Sequence, residues 1–124
     1  GVVWLNDSKA TNVAATRSAL ESLIQPVVLL LGGVDKGEDF RSLIPSVAHL
    51  RAVLAYGAAA PRIASEIEDA VLVDGDLGLV VQRAKKLAEE GDAILLSPAC
   101  SSFDMFDNYE ERGRVFTALA RESR

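Results

Sequence analysis

Short aliphatic runs alternate along the chain with longer segments in which apolar residues recur every three or four positions, the pattern that encodes strands and helices in turn. The spacing predicts strands at Val2–Leu5, Val27–Leu31, Ala52–Tyr56, Ala70–Val73 and Ala93–Leu96. Helices are predicted at Asn12–Ile24, a short Phe40–Ala48, Ala60–Ile67, Leu77–Glu90 and Tyr109–Arg121. In the fourth helix Leu77, Val80, Val81, Ala84, Leu87 and Ala88 share one face, while Gln82, Arg83, Lys85, Lys86, Glu89 and Glu90 form a solvated one. Asp76 is placed to cap this helix and Gly91 to end it; Asp107 with Glu110 reads as a capping box opening the last helix. Two strands, Val27-Val28-Leu29-Leu30-Leu31 and Ala93-Ile94-Leu95-Leu96, are apolar at every position, as a parallel sheet covered by helices on both faces requires. The expected fold class is α/β, a three-layer Rossmann-like sandwich with a mostly parallel sheet.

In such a sheet ligands bind beyond the carboxyl ends of the strands. Three loops there are polar and rich in small residues: Asn6-Asp7-Ser8-Lys9-Ala10-Thr11-Asn12, Gly32-Gly33-Val34-Asp35-Lys36-Gly37-Glu38-Asp39, and Ser97-Pro98-Ala99-Cys100-Ser101-Ser102-Phe103-Asp104. The loops at the opposite end, around Gln25-Pro26, His49–Arg51, Asp69 and Gly91-Asp92, lack that density of polar groups. In the first loop Lys9, the hydroxyls and the amides opening the next helix suit an anion, and Asp7 suits a sugar hydroxyl or a cation. The plainer alternative is that Thr11 or Asn12 caps the helix and Lys9 is solvated. In the second, Gly32-Gly33 permits a sharp turn or a close backbone approach, with Lys36 following. Neither Gly-x-x-x-x-Gly-Lys-Ser/Thr nor Gly-x-Gly-x-x-Gly is present, so the chain has neither of the two common phosphate cradles. In the third, hydroxyls beside a helix N-terminus form a carboxylate receptor.

Composition narrows the class. The 124 residues suffice for one domain, spanning 1–124; 49% are apolar and 25% charged, so the chain should bury a core. A net charge of -5 argues against nucleic acid as a partner, which needs a concentrated basic face. No apolar stretch approaches the roughly 18 residues of a membrane helix, no secretory signal opens the chain, and a cytoplasmic location is expected. The single Cys100 forms no internal disulfide. The only histidine, His49, falls at the other end of the predicted sheet, so a Cys-His pair is not expected and Cys100 is read as loop packing. No spacing fits a metal site.

The strings Asn6-Asp7-Ser8-Lys9-Ala10-Thr11-Asn12, Leu29-Leu30-Leu31-Gly32-Gly33 with Lys36 after it, and Leu95-Leu96-Ser97-Pro98-Ala99-Cys100-Ser101-Ser102-Phe103-Asp104 resemble the C-terminal domain of the Mur ligase family, and within it the ligases that add D-glutamate. The resemblance covers essentially the whole chain in order, and the first and third strings are its most specific parts. It implies one domain of three, the others being an N-terminal domain for a UDP-sugar substrate and a central domain holding the ATP P-loop. The missing initiator methionine and P-loop are expected of such an excised piece. The implied function is that of an ATP-dependent ligase in peptidoglycan synthesis, which converts the carboxylate of UDP-N-acetylmuramoyl-L-alanine to an acyl phosphate for attack by the amine of D-glutamate. The isolated domain is expected to be inactive, with ATP and magnesium bound mainly outside it. Residue by residue, the resemblance places Thr11, Lys36, Ser102 and the backbone at Tyr109 on the two D-glutamate carboxylates. It places Asp7 on the ATP ribose, and Lys9 near the nucleotide and the transferring phosphate as the catalytic candidate. Tyr109 stands where the family pattern has Phe, and the Leu23–Val27 segment is slightly short. A free-standing Rossmann-like nucleotide-binding or interaction module without catalysis is the alternative.

Overall fold

The computed structural model describes residues 1–47 and 50–123; Ala48, at the end of the predicted second helix, and His49 lie outside the described residues. The elements run β1 Val3–Asn6, α1 Val13–Glu21, β2 Val27–Gly32, a 3-10 helix Phe40–Val47, β3 Leu50–Tyr56, α2 Ala60–Glu66, β4 Val71–Leu72, α3 Leu77–Leu87, β5 Ala93–Leu96 and α4 Tyr109–Glu122. The five strands form one sheet, every pair parallel, in the order β1-β5-β2-β3-β4.

Alternation along β2 shows why its sequence is apolar throughout. Leu29 and Leu31 enter the core beneath α1, the 3-10 helix and α2, with Val13, Leu20, Phe40, Leu43 and Ile63. Val28 and Leu30 point the other way, into the core beneath α3 and α4, with Val80, Val81 and Phe116. Between them lies the strand insertion that creates the site: β5, last in sequence, pairs between β1 and β2. The loops leaving β1, β5 and β2 are therefore neighbours at the carboxyl edge.

The sequence places the elements well and some of their ends less so. Pro45, which lacks the amide an α-helix needs, lies inside the Phe40–Val47 helix, which is 3-10 throughout. Asn12 is the cap of α1, its Oδ1 accepting from the Ala15 amide, and α1 stops at Glu21, three residues before the fully exposed Ile24. Asp76 caps α3 as expected, but α3 ends at Leu87 and Ala88 is its cap; Gly91, at φ +88°, serves instead the turn into β5. The last helix is capped by Asn108 rather than Asp107: Asn108 Oδ1 accepts from the Glu111 amide, and Glu111 Oε1 accepts from the Asp107 amide. This is the expected capping box moved one residue along the chain.

The opposite end of the sheet is also richer in polar bonding than its sequence suggests. Asp92, buried at the start of β5, accepts from Arg51 Nε and Nη2 at 2.9 and 3.1 Å and from the Glu89 amide at 2.8 Å. The Arg51 hydrogen bond, followed by that amide, holds the Asp92 carboxyl below its ordinary value of 3.8. A depressed carboxyl contributes stability that is complete above the unfolded value and lost as pH falls through the folded one. The melting temperature of Asp92→Asn should accordingly lie below wild type at neutral pH, and the difference should shrink as pH drops below about 4. A pH-independent gap would assign the effect to packing.

Candidate functional site

The three loops are bonded into one surface. From the third loop, Ser97 Oγ donates to Asp7 Oδ2 at 2.9 Å and the Ala99 amide donates to the Ala10 carbonyl at 2.9 Å. Thr16 Oγ1 in α1 donates to the Ser97 carbonyl, and the Gly32 amide donates to that of Pro98. Val34 and Ser101 exchange amide–carbonyl bonds at 3.0 Å each, an isolated antiparallel bridge that locks the second loop to the third. Ala99 is held at φ +61°, a left-handed conformation that costs a non-glycine residue about 1 kcal/mol or more and persists only where its surroundings dictate it. Its amide bond to Ala10 supplies that constraint.

Ser102 carries the sharpest signal. Only 2% exposed, it has no hydrogen-bond partner for its hydroxyl, and a buried hydroxyl left unpaired costs on the order of 1–3 kcal/mol. Its neighbour Ser101 is half-buried and engaged through its backbone. Lys36 is exposed at the tip of a turn closed by the Gly37 amide on Asp35 Oδ1, and it has no ion pair among the described residues. The adjacent carboxylate of Asp35 belongs to Arg62, at 2.7 Å. Thr11, half-buried, donates no side-chain hydrogen bond among the described residues, because Asn12 has taken the capping role. Tyr109 is the first residue of α4, where amides lack intrahelical acceptors; its carbonyl accepts from Ser8 Oγ at 2.7 Å.

Of the two readings of the first loop, the structure shows the plainer one at the start of α1, with Asn12 as the cap. The Val13 amide already donates to Glu38 Oε1 at 3.1 Å, and the Ala15 amide to Asn12, so the protein fills this position with its own side chains. Lys9 is exposed and lines an open groove of about 600 Å³ with Asn6, Ser8, Tyr109, Arg114 and Arg121. Thr11, Lys36 and Ser102 do not line this groove, so of the candidates it brings together Lys9 and Tyr109. Asp7 is half-buried at the start of the first loop, oriented by Ser97. Cys100 is fully buried, and burial pushes its thiol up to about 12, which fits packing and not nucleophilic attack. Among the described residues no group of three or more His, Cys, Asp or Glu side chains could hold a metal, and no helix is long and apolar enough to cross a membrane.

Two arginines that sequence reasoning missed hold these loops. Arg62 in α2 pairs with Asp35 and with Glu66 at 2.8 Å, donates to the Glu38 carbonyl and lies 5.2 Å from the centre of the Phe40 ring, which fixes the second loop at both ends. Arg112 in α4 is fully buried and donates to Ser8 Oγ, the Ser8 carbonyl and the Cys100 carbonyl at 3.0, 2.7 and 3.1 Å. A signal for it existed: Arg112, Phe116 and Ala120 recur every four residues, which puts a cation on the helix's buried stripe.

Comparison with known proteins agrees with the fold and identifies the family. The family described as "Mur ligase, glutamate ligase domain" matches residues 1–100. The UDP-N-acetylmuramoylalanine–D-glutamate ligase of Rubrobacter xylanophilus is 47% identical over 97% of this chain and 28% of its own length; that of Bordetella pertussis is 50% identical over 98% and 24%. The chain thus spans about a quarter of the curated relatives it matches. A domain of a Haemophilus ducreyi UDP-N-acetylmuramate:L-alanyl-gamma-D-glutamyl-meso-diaminopimelate ligase shares the fold at a TM-score of 0.50 and 19% identity, over 95% of this chain and 88% of the other. With the family matched over most of its length and close relatives covering nearly all of it, the chain belongs to the Mur ligase family, in its glutamate ligase domain.

Proposed function

We propose that this chain is the amino-acid-receiving domain of a three-domain, ATP-dependent cytoplasmic ligase that joins D-glutamate to UDP-N-acetylmuramoyl-L-alanine in peptidoglycan synthesis. The observation that carries the reading is the Ser102 hydroxyl, buried without a partner in the loop that the Val34–Ser101 bridge ties to the loop of Lys36. D-Glutamate brings two carboxylates and an amine. Lys36 supplies a charge, Thr11 and Ser102 hydroxyl donors, and the amides at Tyr109 the N-terminal end of a helix dipole, a set matched to a dianion. ATP, with magnesium, supplies the phosphoryl group that activates the acceptor carboxylate, and both are held mainly by the other domains. This domain's share is Asp7 toward the ribose and Lys9 toward the phosphate being transferred. The names of the relatives support the substrate assignment, and the residues present fit it.

Kinetics of variants in the full-length ligase test the assignment. Lys36→Ala should raise the KM for D-glutamate far more than that for ATP, by a factor equivalent to about 1.5–3 kcal/mol. Ser102→Ala should weaken D-glutamate by about 0.5–1.5 kcal/mol while leaving the melting temperature unchanged or slightly raised, because it deletes a hydroxyl that no group among the described residues pairs. Ser101→Ala should be nearly silent. If Ser101→Ala proves the more damaging, the register of the third loop is wrong, and the role of Tyr109 falls with it.

A further inference from the structure

The buried guanidinium of Arg112 is an expensive object in the core. Its hydrogen-bond acceptors are all neutral, so no carboxylate bonded to it offsets the cost of removing the charge from water. Burial lowers its pKa, with Tyr56, Cys100 and Asp104 acting the other way. A guanidinium stays charged at any ordinary pH. What this residue offers that smaller donors cannot is a rigid fork with five N–H groups, able to bond two chain segments at once in fixed relative geometry. Two of its bonds reach Ser8, between Asp7 and Lys9, and one reaches the Cys100 carbonyl, two residues before Ser102. Ser8 Oγ passes the link onward to the Tyr109 carbonyl at the start of α4.

We infer that Arg112 is a positioning residue for both ligands, setting the loop of Asp7 and Lys9 and the loop of Ser102 at one fixed separation. This rests on the assignment of those loops to nucleotide and D-glutamate given above. Direct contacts should each serve one ligand, whereas a residue that places both loops should serve two. Phosphoryl transfer followed by amine attack demands that the two ligands be held in mutual register.

In the full-length ligase, Arg112→Lys keeps the charge and loses the fork. Steady-state kinetics, with active enzyme counted so that loss of folded protein enters neither kcat nor KM, should show KM rising about tenfold for ATP and for D-glutamate alike, the scale of one charge-assisted hydrogen bond. Lys36→Ala, by contrast, should move D-glutamate alone. Ser8→Ala removes one bond of the fork and the relay to Tyr109 while retaining Arg112, so it should raise both KM values by a smaller factor, about threefold; it carries the test alone should Arg112→Lys not fold. A change in only one KM, or in neither, overturns the inference. So does a result in which Arg112→Lys is normal and Arg112→Met raises both, since charge and not geometry would then be at work. The loop assignment fails separately, whatever Arg112 does, if Lys36→Ala and Ser102→Ala leave the KM for D-glutamate at its wild-type value.

Discussion

Arg112→Met should cost the 124-residue chain about 2–4 kcal/mol of folding stability, read as a lower denaturation midpoint at unchanged slope. Two effects oppose each other here. Removing a buried cation returns its desolvation penalty, and replacing a whole buried ion pair by apolar residues is often neutral for that reason. That compensation requires both partners to go. At this position two of the partners are the backbone carbonyls of Ser8 and Cys100, which no side-chain substitution removes, and both are left in a closed interior. Each unsatisfied acceptor costs about 1–3 kcal/mol, so the loss outweighs the gain. Methionine matches the flexible stem and fills most of the volume, which keeps a cavity from confusing the result. Ser8→Ala is the control: its hydroxyl accepts from Arg112 and donates to Tyr109, and its loss leaves one acceptor and one donor each with fewer bonds, at a cost of about 1 kcal/mol. Equal stability of Arg112→Met and wild type would mean that the carbonyls find water or new donors.

The sequence announces the layers more plainly than the bonds within the site. Continuous apolar runs at β2 and β5 specify strands buried on both faces, and the helix periods specify which residues cover them, so element order and sheet type follow from pattern alone. Ends are less legible because they depend on competition between neighbours: Asn12 against Thr11, and Asn108 against Asp107, are pairs of equally good caps, and only the path of the chain decides between them. The position of β5 between β1 and β2 is decided by packing, yet the polar content of the three carboxyl-end loops marks them as a group before it is known. Long-range polar contacts are the hidden part. Glu38 reaches the start of α1 from 25 residues away, and Asp92 holds Arg51 from 41 residues away; nothing in local composition marks either acid as a structural ligand. Arg112 shows what could have been read: a lone cation on the buried stripe of a helix demands partners, and the strand-end loops are where free carbonyls are found.

Gly33→Ala should be among the most damaging single-methyl additions to this chain. At φ +127° Gly33 occupies backbone space that L side chains rarely adopt, a strain of about 1–3 kcal/mol by itself. A Cβ there would also stand 2.1 Å from the Ser101 carbonyl oxygen and 3.1 Å from Cys100 Cβ. Relief by rotation of a side chain is not available, because the struck atom is backbone. The second loop would have to withdraw from the third, which breaks the reciprocal Val34–Ser101 bonds. Strain and overpacking together amount to about 3–5 kcal/mol, a fall of roughly 10–25 °C in melting temperature for a domain of this size. Gly37→Ala separates the two contributions. It too has a positive φ, +83°, but a Cβ at Gly37 meets nothing within 4 Å, so only the conformational cost of about 1 kcal/mol applies. If the two alanine variants melt together, the collision with Ser101 is being relieved cheaply, and the second and third loops are held more loosely than the Val34–Ser101 bridge implies. If Gly33→Ala is far the worse, the same collision fixes how closely those loops approach. On the proposed assignment of these loops to D-glutamate, any Gly33→Ala ligase that still folds should then lose affinity for that substrate beyond its loss of stability, because the loop carrying Lys36 withdraws from the one carrying Ser102.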